Sequence, residues 1–271
     1  MSERAPRWRL LETGARPGAW NMACDALLLE RAASGEAPPT LRLYGWEPAA
    51  VSIGRHQPDP DSGAAAALAA RGVEWVRRPT GGRAVYHGPP SEELTYAVAV
   101  PVPVGHPPLA GTPREVYRRI HAALAEGLRA LGAPAALVAD RRGERPRSPG
   151  PADPAACFAT SVPFEIAVGG RKLLGSAQRR SRGGLLQHGS LPLDGDQAAL
   201  AAAWPGAVDP AAATTLAAAA GRPVGFAEAA GALAASLAEA LEVELAGAEL
   251  EPDERAEIER RAEEASAGTP A

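Results

Sequence analysis

Lysine is all but missing from this chain of 271 residues: of its 28 Lys and Arg side chains, only Lys172 is a lysine. A sequence that uses Arg wherever it wants a cation, yet keeps Lys at one position, points to a place where Arg fails. Arg cannot lose its proton in a protein and carries a wide planar fork; Lys is a compact point charge on a flexible stem, and its pKa falls readily on burial. The plain alternative is a leftover surface lysine. Cysteine is scarce as well. Cys24 and Cys157 make no disulfide framework and fit a reducing compartment. With five scattered histidines they give no metal-ligand spacing, so no metal is expected. No apolar run reaches the roughly 18 residues of a membrane span, because the Ala-rich tracts are interrupted by charge. The Met1 end is polar, with Arg4, Arg7 and Arg9 and no apolar core of a leader, so a cytoplasmic protein is expected. Excess positive charge is also missing. The formal charge of −4 and pI of 5.8 give no global reason to expect nucleic acid.

What is present concentrates around Lys172. Ala167 to Leu174 reads as two strands joined at Gly169-Gly170, which supply the positive φ angles of a tight hairpin. Strict alternation would put Lys172 and Leu174 on one face, and Arg171 and Leu173 on the other. Gly175-Ser176-Ala177-Gln178 follows, a run of mostly small residues that lets a ligand or another backbone come close. Leu185 to Leu191, carrying His188, reads as the next strand, and taken alone His188 fits an ordinary half-buried strand equally well. Cys157 lies fifteen positions before Lys172. Beside an ammonium, its thiol would lose its proton more readily and serve as a nucleophile, with the same cation facing a developing oxyanion. A free cysteine packed as a small hydrophobe is the simpler alternative.

Upstream, Arg77-Arg78-Pro79-Thr80-Gly81-Gly82-Arg83-Ala84-Val85-Tyr86-His87 places a glycine loop between two strands. Two glycines let backbone N–H groups turn inward toward a carbonyl or phosphate oxygen. This stretch, together with the Cys157-Phe158 pair, FEIAVGGRKLLGSAQRR and LLQHGSL, resembles the signature of the lipoyl(octanoyl) transferases and lipoate–protein ligases, which share a fold with biotin–protein ligases. The resemblance covers roughly Trp8 to Leu193. A cysteine ahead of the GRK–GSAQ block is similar to the cysteine-dependent octanoyltransferases of Gram-positive type. Where many relatives have Asp after the histidine, this chain has Gly88-Pro89-Pro90.

The resemblance implies an α/β (α+β) fold, a mixed and largely antiparallel sheet flanked by helices. It implies Cys157 and Lys172 as catalytic pair, with Arg78, Gly81, Gly82, His87, Gly175, Ser176, Ala177, Gln178 and His188 lining the substrate pocket. It also implies transfer of octanoyl from acyl carrier protein to the lysine of a lipoyl-domain protein such as glycine cleavage H protein, through a Cys157 thioester and with no cofactor. Three rivals stand beside it: an ATP-dependent lipoate ligase with Cys157 incidental, an amidotransferase moving octanoyl from H protein to other lipoyl domains, and a non-catalytic lipoyl-domain binder. Arg141, Arg142, Arg145 and Arg147, with Arg179, Arg180 and Arg182, form basic clusters on an acidic protein and suit an acidic carrier surface.

The rest of the chain supplies the frame. Strands are expected at Trp8 to Glu12, Thr40 to Trp46, Ala50 to Arg55, Val73 to Arg77, Ala84 to His87, Glu93 to Val100 and Ala135 to Val138, with Thr40 to Trp46 and Ala50 to Arg55 paired around Glu47-Pro48. Helices are expected at Asn21 to Ala33, with Cys24 as packing, at Asp61 to Ala70, and at Pro113 to Leu131, where Val116, Ile120, Leu124 and Leu128 recur at helical spacing. Asp140 to Pro154 is polar and rich in Pro and Arg, and reads as a mobile loop hinged beside Cys157. Residues 1–195 make the catalytic domain in this reading. Residues 196–271 are a helical segment packed on it or extending it, with helices over Gln197 to Trp204, Pro210 to Ala220, Gly225 to Leu241 and Asp253 to Ala265.

Overall fold

A computed structural model describes residues 5–102, 109–139, 163–206, 209 and 211–267. Cys157 and the Asp140 to Pro154 loop lie outside the described residues.

The main sheet has eight strands: β1 (Arg7–Arg16), β2 (Thr40–Trp46), β6 (Glu93–Pro101), β7 (Ala136–Leu137), β8 (Ile166–Val168), β9 (Arg171–Ser181), β10 (Gly184–Pro192) and β11 (Glu244–Ala248). Their order is β11-β1-β2-β6-β10-β9-β8-β7; β1 runs parallel to β2 and β11, and the remaining pairs are antiparallel. A small second sheet holds β3 (Ala50–Ile53) between β4 (Glu74–Arg77) and β5 (Val85–His87). The expected pairing of Thr40 to Trp46 with Ala50 to Arg55 is therefore corrected. The chain changes sheets between them, so the second stretch alternates like a hairpin partner while pairing elsewhere.

Helices cover the sheet. The helix α3 (Pro113–Ala130) starts at a Thr112 capping box closed by Glu115 and has Pro at its first turn. Its predicted stripe Val116, Ile120, Leu124 and Leu128 is fully buried, in one core with β6, β9 and α6 (Phe226–Ala240). The helix α1 (Gly18–Ser34) covers the other face, and α2 (Ser62–Ala69) packs with α4 (Ala198–Ala203) on the small sheet. Cys24 is free and buried in α1, and burial pushes its thiol up to about 12, so it is an inert packing residue as expected.

Past residue 195 the chain is helical as read, in α4, α5 (Leu216–Ala220), α6 and α7 (Pro252–Ala267), but β11 also adds a strand to the main sheet. No helix among the described residues is long and apolar enough to cross a membrane.

Candidate active site

Gly169 and Gly170 take φ of 57° and 80°, so the expected hairpin between β8 and β9 forms as read. It delivers Lys172 into the interior. Lys172 is 1% exposed, and its Nζ donates to Glu165 Oε1 at 2.6 Å, itself 3% exposed. The backbone is fixed on the other side, with Lys172 N donating to Ala212 O at 2.8 Å and Thr214 N to Lys172 O at 2.9 Å. The expected alternation fails in one respect. Ile166 pairs with Leu174 and Ala167 with Lys172, so Leu173 is the extra residue of a bulge, and Leu173 and Leu174 both enter the α3-side core.

Glu165 is the largest omission of the sequence reading. It stands in the quoted FEIAVGG run, seven residues before Lys172, where a two-glycine hairpin folds it back over its partner. The available signal is a lone carboxylate between the apolar residues Phe164 and Ile166.

The adjoining wall of β9 and β10 opens into a cleft. Met22, Tyr44, Trp46, Ser52, Val85 and Thr95 line it together with the expected Arg78, His87, Gly175, Ser176, Ala177 and His188. Its volume is about 30 Å³.

Arg78 organises the glycine loop. It donates from Nη1 to Ser52 O at 2.8 Å, from Nη2 to Gly81 O at 2.8 Å and from Nη2 to Arg83 O at 2.7 Å. Gly82, at φ 93°, carries its carbonyl so close to Gly54 that a Cβ there would stand 2.0 Å from it. His87 stacks on Trp46 with ring centroids 3.9 Å apart and meets Ser52 Oγ at 2.8 Å through Nε2. Burial holds the His87 pKa below the ordinary imidazole value, against the pull of Glu93. Gly81, Gly82 and Gln178 are not among the residues that line the cleft; Gln178 Nε2 donates to Gln187 Oε1 at 3.0 Å.

His188 sits in a network reached from α1. Asp25 Oδ2 is 2.8 Å from His188 Nδ1, and Thr80 Oγ1 is 2.6 Å from Nε2. The other carboxylate oxygen of Asp25 takes Arg42 Nη1 at 2.7 Å, while Tyr44 donates its hydroxyl to Oδ2 at 2.8 Å. Burial alone would raise the Asp25 pKa; Arg42 and the hydrogen bonds from His188 and Tyr44 outweigh it and hold the carboxyl below its usual range. Asp25 tethers His188, and through it the Thr80 end of the glycine loop. Periodicity shows Asp25 only as a charge on the buried side of a helix.

On the opposite face, Ser176 Oγ lies 2.8 Å from both Tyr96 Oη and His121 Nε2, and His121 Nδ1 lies 2.6 Å from Phe164 O. Burial pushes the His121 pKa down to about 3, with the Lys172 charge adding to the effect. A neutral ring facing a carbonyl through Nδ1 must donate there, so Nε2 accepts the Ser176 proton and Tyr96 donates to Ser176. His121 ties the GSAQ strand to the turn that carries Glu165.

Residues 17–238 match the lipoyl protein ligase A/B catalytic domain. The octanoyltransferase LipM of Symbiobacterium thermophilum is 43% identical over 266 residues, covering 93% of each chain. That of Kyrpidia tusciae is 47% identical over 193 residues, 71% of this chain and 68% of the other. Among solved structures, a lipoate-protein ligase A bound with ATP aligns with a TM-score of 0.73 at 21% identity, over 96% of this chain and 94% of that one. A putative lipoate protein ligase from T. acidophilum with bound lipoic acid aligns at 0.70 and 21%, over 96% and 95%. At such identity the likeness is one of fold. The matched domain spans most of the chain and the relatives are over two fifths identical across the aligned residues, so the chain belongs to the lipoyl protein ligase A/B catalytic family, as an acyltransferase akin to the LipM octanoyltransferases.

Proposed function

We propose that the protein moves an octanoyl group from acyl carrier protein to the lysine of a lipoyl-domain protein, with glycine cleavage H protein as the acceptor, through a thioester on Cys157. The observation that carries this reading is the buried Lys172–Glu165 ion pair, set at the head of the Gly175–Ala177 wall in a chain whose relatives are octanoyltransferases. An ammonium shielded from water stabilises developing negative charge far better than one in solvent.

The Cys157 thiolate attacks the thioester carbonyl, the Lys172 ammonium offsets the charge on the carbonyl oxygen, and the bond to the carrier sulfur breaks. The carrier thiolate leaves and takes up a proton. The neutral amine of the acceptor lysine then attacks the Cys157 thioester. An amide forms, the amine proton is lost, and the Cys157 thiolate is restored. The thioester already stores the energy of the amide, so neither ATP nor another cofactor enters.

The test is intact mass after mixing with octanoyl-carrier protein, mapped to a residue. The expected result is one octanoyl on Cys157, chased off by H protein. A Cys157→Ala variant that transfers at the wild-type rate removes the mechanism. Transfer that requires lipoate and ATP instead turns the assignment to a ligase, and octanoyl donated only by a loaded H protein turns it to an amidotransferase.

A further inference from the structure

His121 is fully buried on α3 and is not among the residues that line the cleft. Four polar side chains lead to it in one direction. Gln178 Nε2 donates to Gln187 Oε1 at 3.0 Å, and Gln187 Nε2 donates to Tyr96 Oη at 3.0 Å. Tyr96, an acceptor there, turns its own hydrogen to Ser176 Oγ at 2.8 Å, and Ser176 turns its hydrogen to His121 Nε2 at 2.8 Å. The ring proton is left on Nδ1, 2.6 Å from Phe164 O. The succession of donors fixes this tautomer, and the low pKa of the ring agrees with it.

The two bonds of the ring differ in what depends on them. At the Ser176 end the strand is held several times over: by Tyr96 at Oγ, by Tyr117 Oη donating to Ser176 O at 3.2 Å, and by the pairing of Ser176 with Gly189. At the other end stands Phe164 at φ 71°, a left-handed conformation that is strained for a bulky side chain. Phe164 N donates to Val138 O at 2.9 Å, and Val138 N donates to Glu165 O at 2.8 Å. Those bonds hold the outer ends of the turn. His121 holds the oxygen of the peptide between Phe164 and Glu165. That peptide is a rigid plane, so its tilt sets the direction in which the Glu165 side chain leaves the backbone toward Lys172 Nζ, 2.6 Å from Oε1.

We propose that His121 is a positioning residue for acyl transfer: through the Phe164 carbonyl it aims Glu165, and through Glu165 it aims the Lys172 ammonium. No proton passes through the ring, which serves as a fixed donor. Its part in the reaction rests on the acyl-transfer reading above; its grip on Glu165 does not.

The test removes the two ring nitrogens separately. Asn places its amide nitrogen where Nδ1 stands and keeps the donor to Phe164 O, but falls short of Ser176. Gln reaches Ser176 and leaves Phe164 O without its donor. Each variant gives up one hydrogen bond, so a role in stability alone treats them alike. Lys172 is the only lysine of the chain, and protein grown with lysine labelled at Cε therefore gives a single lysine signal by NMR. His121→Gln moves that signal toward its position in Glu165→Gln, whereas His121→Asn leaves it within a linewidth of the wild type. In steady-state transfer from octanoyl-carrier protein, His121→Gln lowers kcat at least tenfold with KM changed less than twofold, and His121→Asn lowers kcat less than threefold. Should His121→Gln fail to fold, His121→Met, of similar volume and without a donor for Phe164 O, replaces it in both measurements. Equal effects of the donor-keeping and donor-lacking variants, or a lysine signal that the donor-lacking variant leaves in place, overturn the positioning role. A wild type that transfers no octanoyl defeats the acyl-transfer reading instead, and the lysine signal then decides by itself whether His121 holds the pair.

Discussion

Lys172 and Glu165 show what one residue demands of its surroundings. An ammonium and a carboxylate, 1% and 3% exposed, both forgo water, and their 2.6 Å contact offsets part of that loss. Neutralising one partner removes the charge that faces the other at 2.6 Å in the interior, and breaking a buried pair costs roughly 3–5 kcal/mol. Glu165→Gln is thus expected to lower the urea midpoint and to suppress octanoyl transfer by more than tenfold, whereas Glu165→Asp keeps the charge and loses less of either. His121 makes a different demand. Its pKa is depressed, chiefly by burial, from 6.5 to about 3, so the folded state resists a proton that the unfolded chain accepts. Its contribution is fully present above about pH 6.5 and is lost as pH falls toward 3, with a slope of about 1.4 kcal/mol per pH unit. Urea titrations between pH 6.5 and 4 are expected to show stability falling more steeply for the wild type than for His121→Gln. His87, lowered in the same direction by its own burial, leaves a residual slope in the variant.

Elements show which parts of this arrangement could be read in advance. The α3 helix was legible because its apolar stripe repeats at helical spacing and Thr112, Pro113 and Glu115 mark its start. The β8–β9 hairpin was legible because two consecutive glycines have few other uses. The face of Lys172 was not: a bulge at Leu173 breaks the alternation on which the inference rested, and no local residue announces it. β11 was missed because Glu244–Ala248 is a half-exposed stretch between two helices, whose strand character comes from pairing with β1. Of the residues carried by motifs, Arg78, His87, Gly175, Ser176, Ala177 and His188 line the cleft, whereas Asp25, Thr80 and His121 work by contacts across 163, 108 and 55 positions that no spacing rule reaches. The glycine loop offers a direct check. At Gly54 a Cβ would meet the carbonyl oxygen of Gly82 at 2.0 Å, a backbone atom that cannot rotate away. Gly54→Ala is expected to fold, with the loop pushed out of place and transfer reduced by more than tenfold, while Gly63→Ala, whose nearest atom is an Asp61 side-chain oxygen at 3.3 Å, leaves transfer within twofold.

At the scale of the whole molecule, the question is why the chain continues beyond residue 238, where the matched domain ends. Without β11, the Arg7–Leu11 edge of β1 would present unpaired backbone to solvent, an invitation to pairing with another chain. The segment is also tied across α1 and β1 by charges from its last helix. Arg9 clasps Glu254 with two hydrogen bonds of 2.9 and 3.0 Å, Arg31 pairs with Asp253, and Arg261 meets Glu30 at 2.8 Å. Only the first is shielded, Glu254 being 1% exposed; the other two reach water and contribute little. Ile258, fully buried beside α1, supplies the apolar half of the attachment. If these contacts make residues 244–267 part of the catalytic body, a chain truncated after residue 243 is expected to aggregate on expression. Glu254→Gln should then cost roughly 3–5 kcal/mol by urea denaturation, with both reporters, tryptophan fluorescence and far-UV circular dichroism, unfolding at one shared midpoint. Two separate midpoints in the wild type, with the first lost on truncation, would instead make the tail an independent appendage.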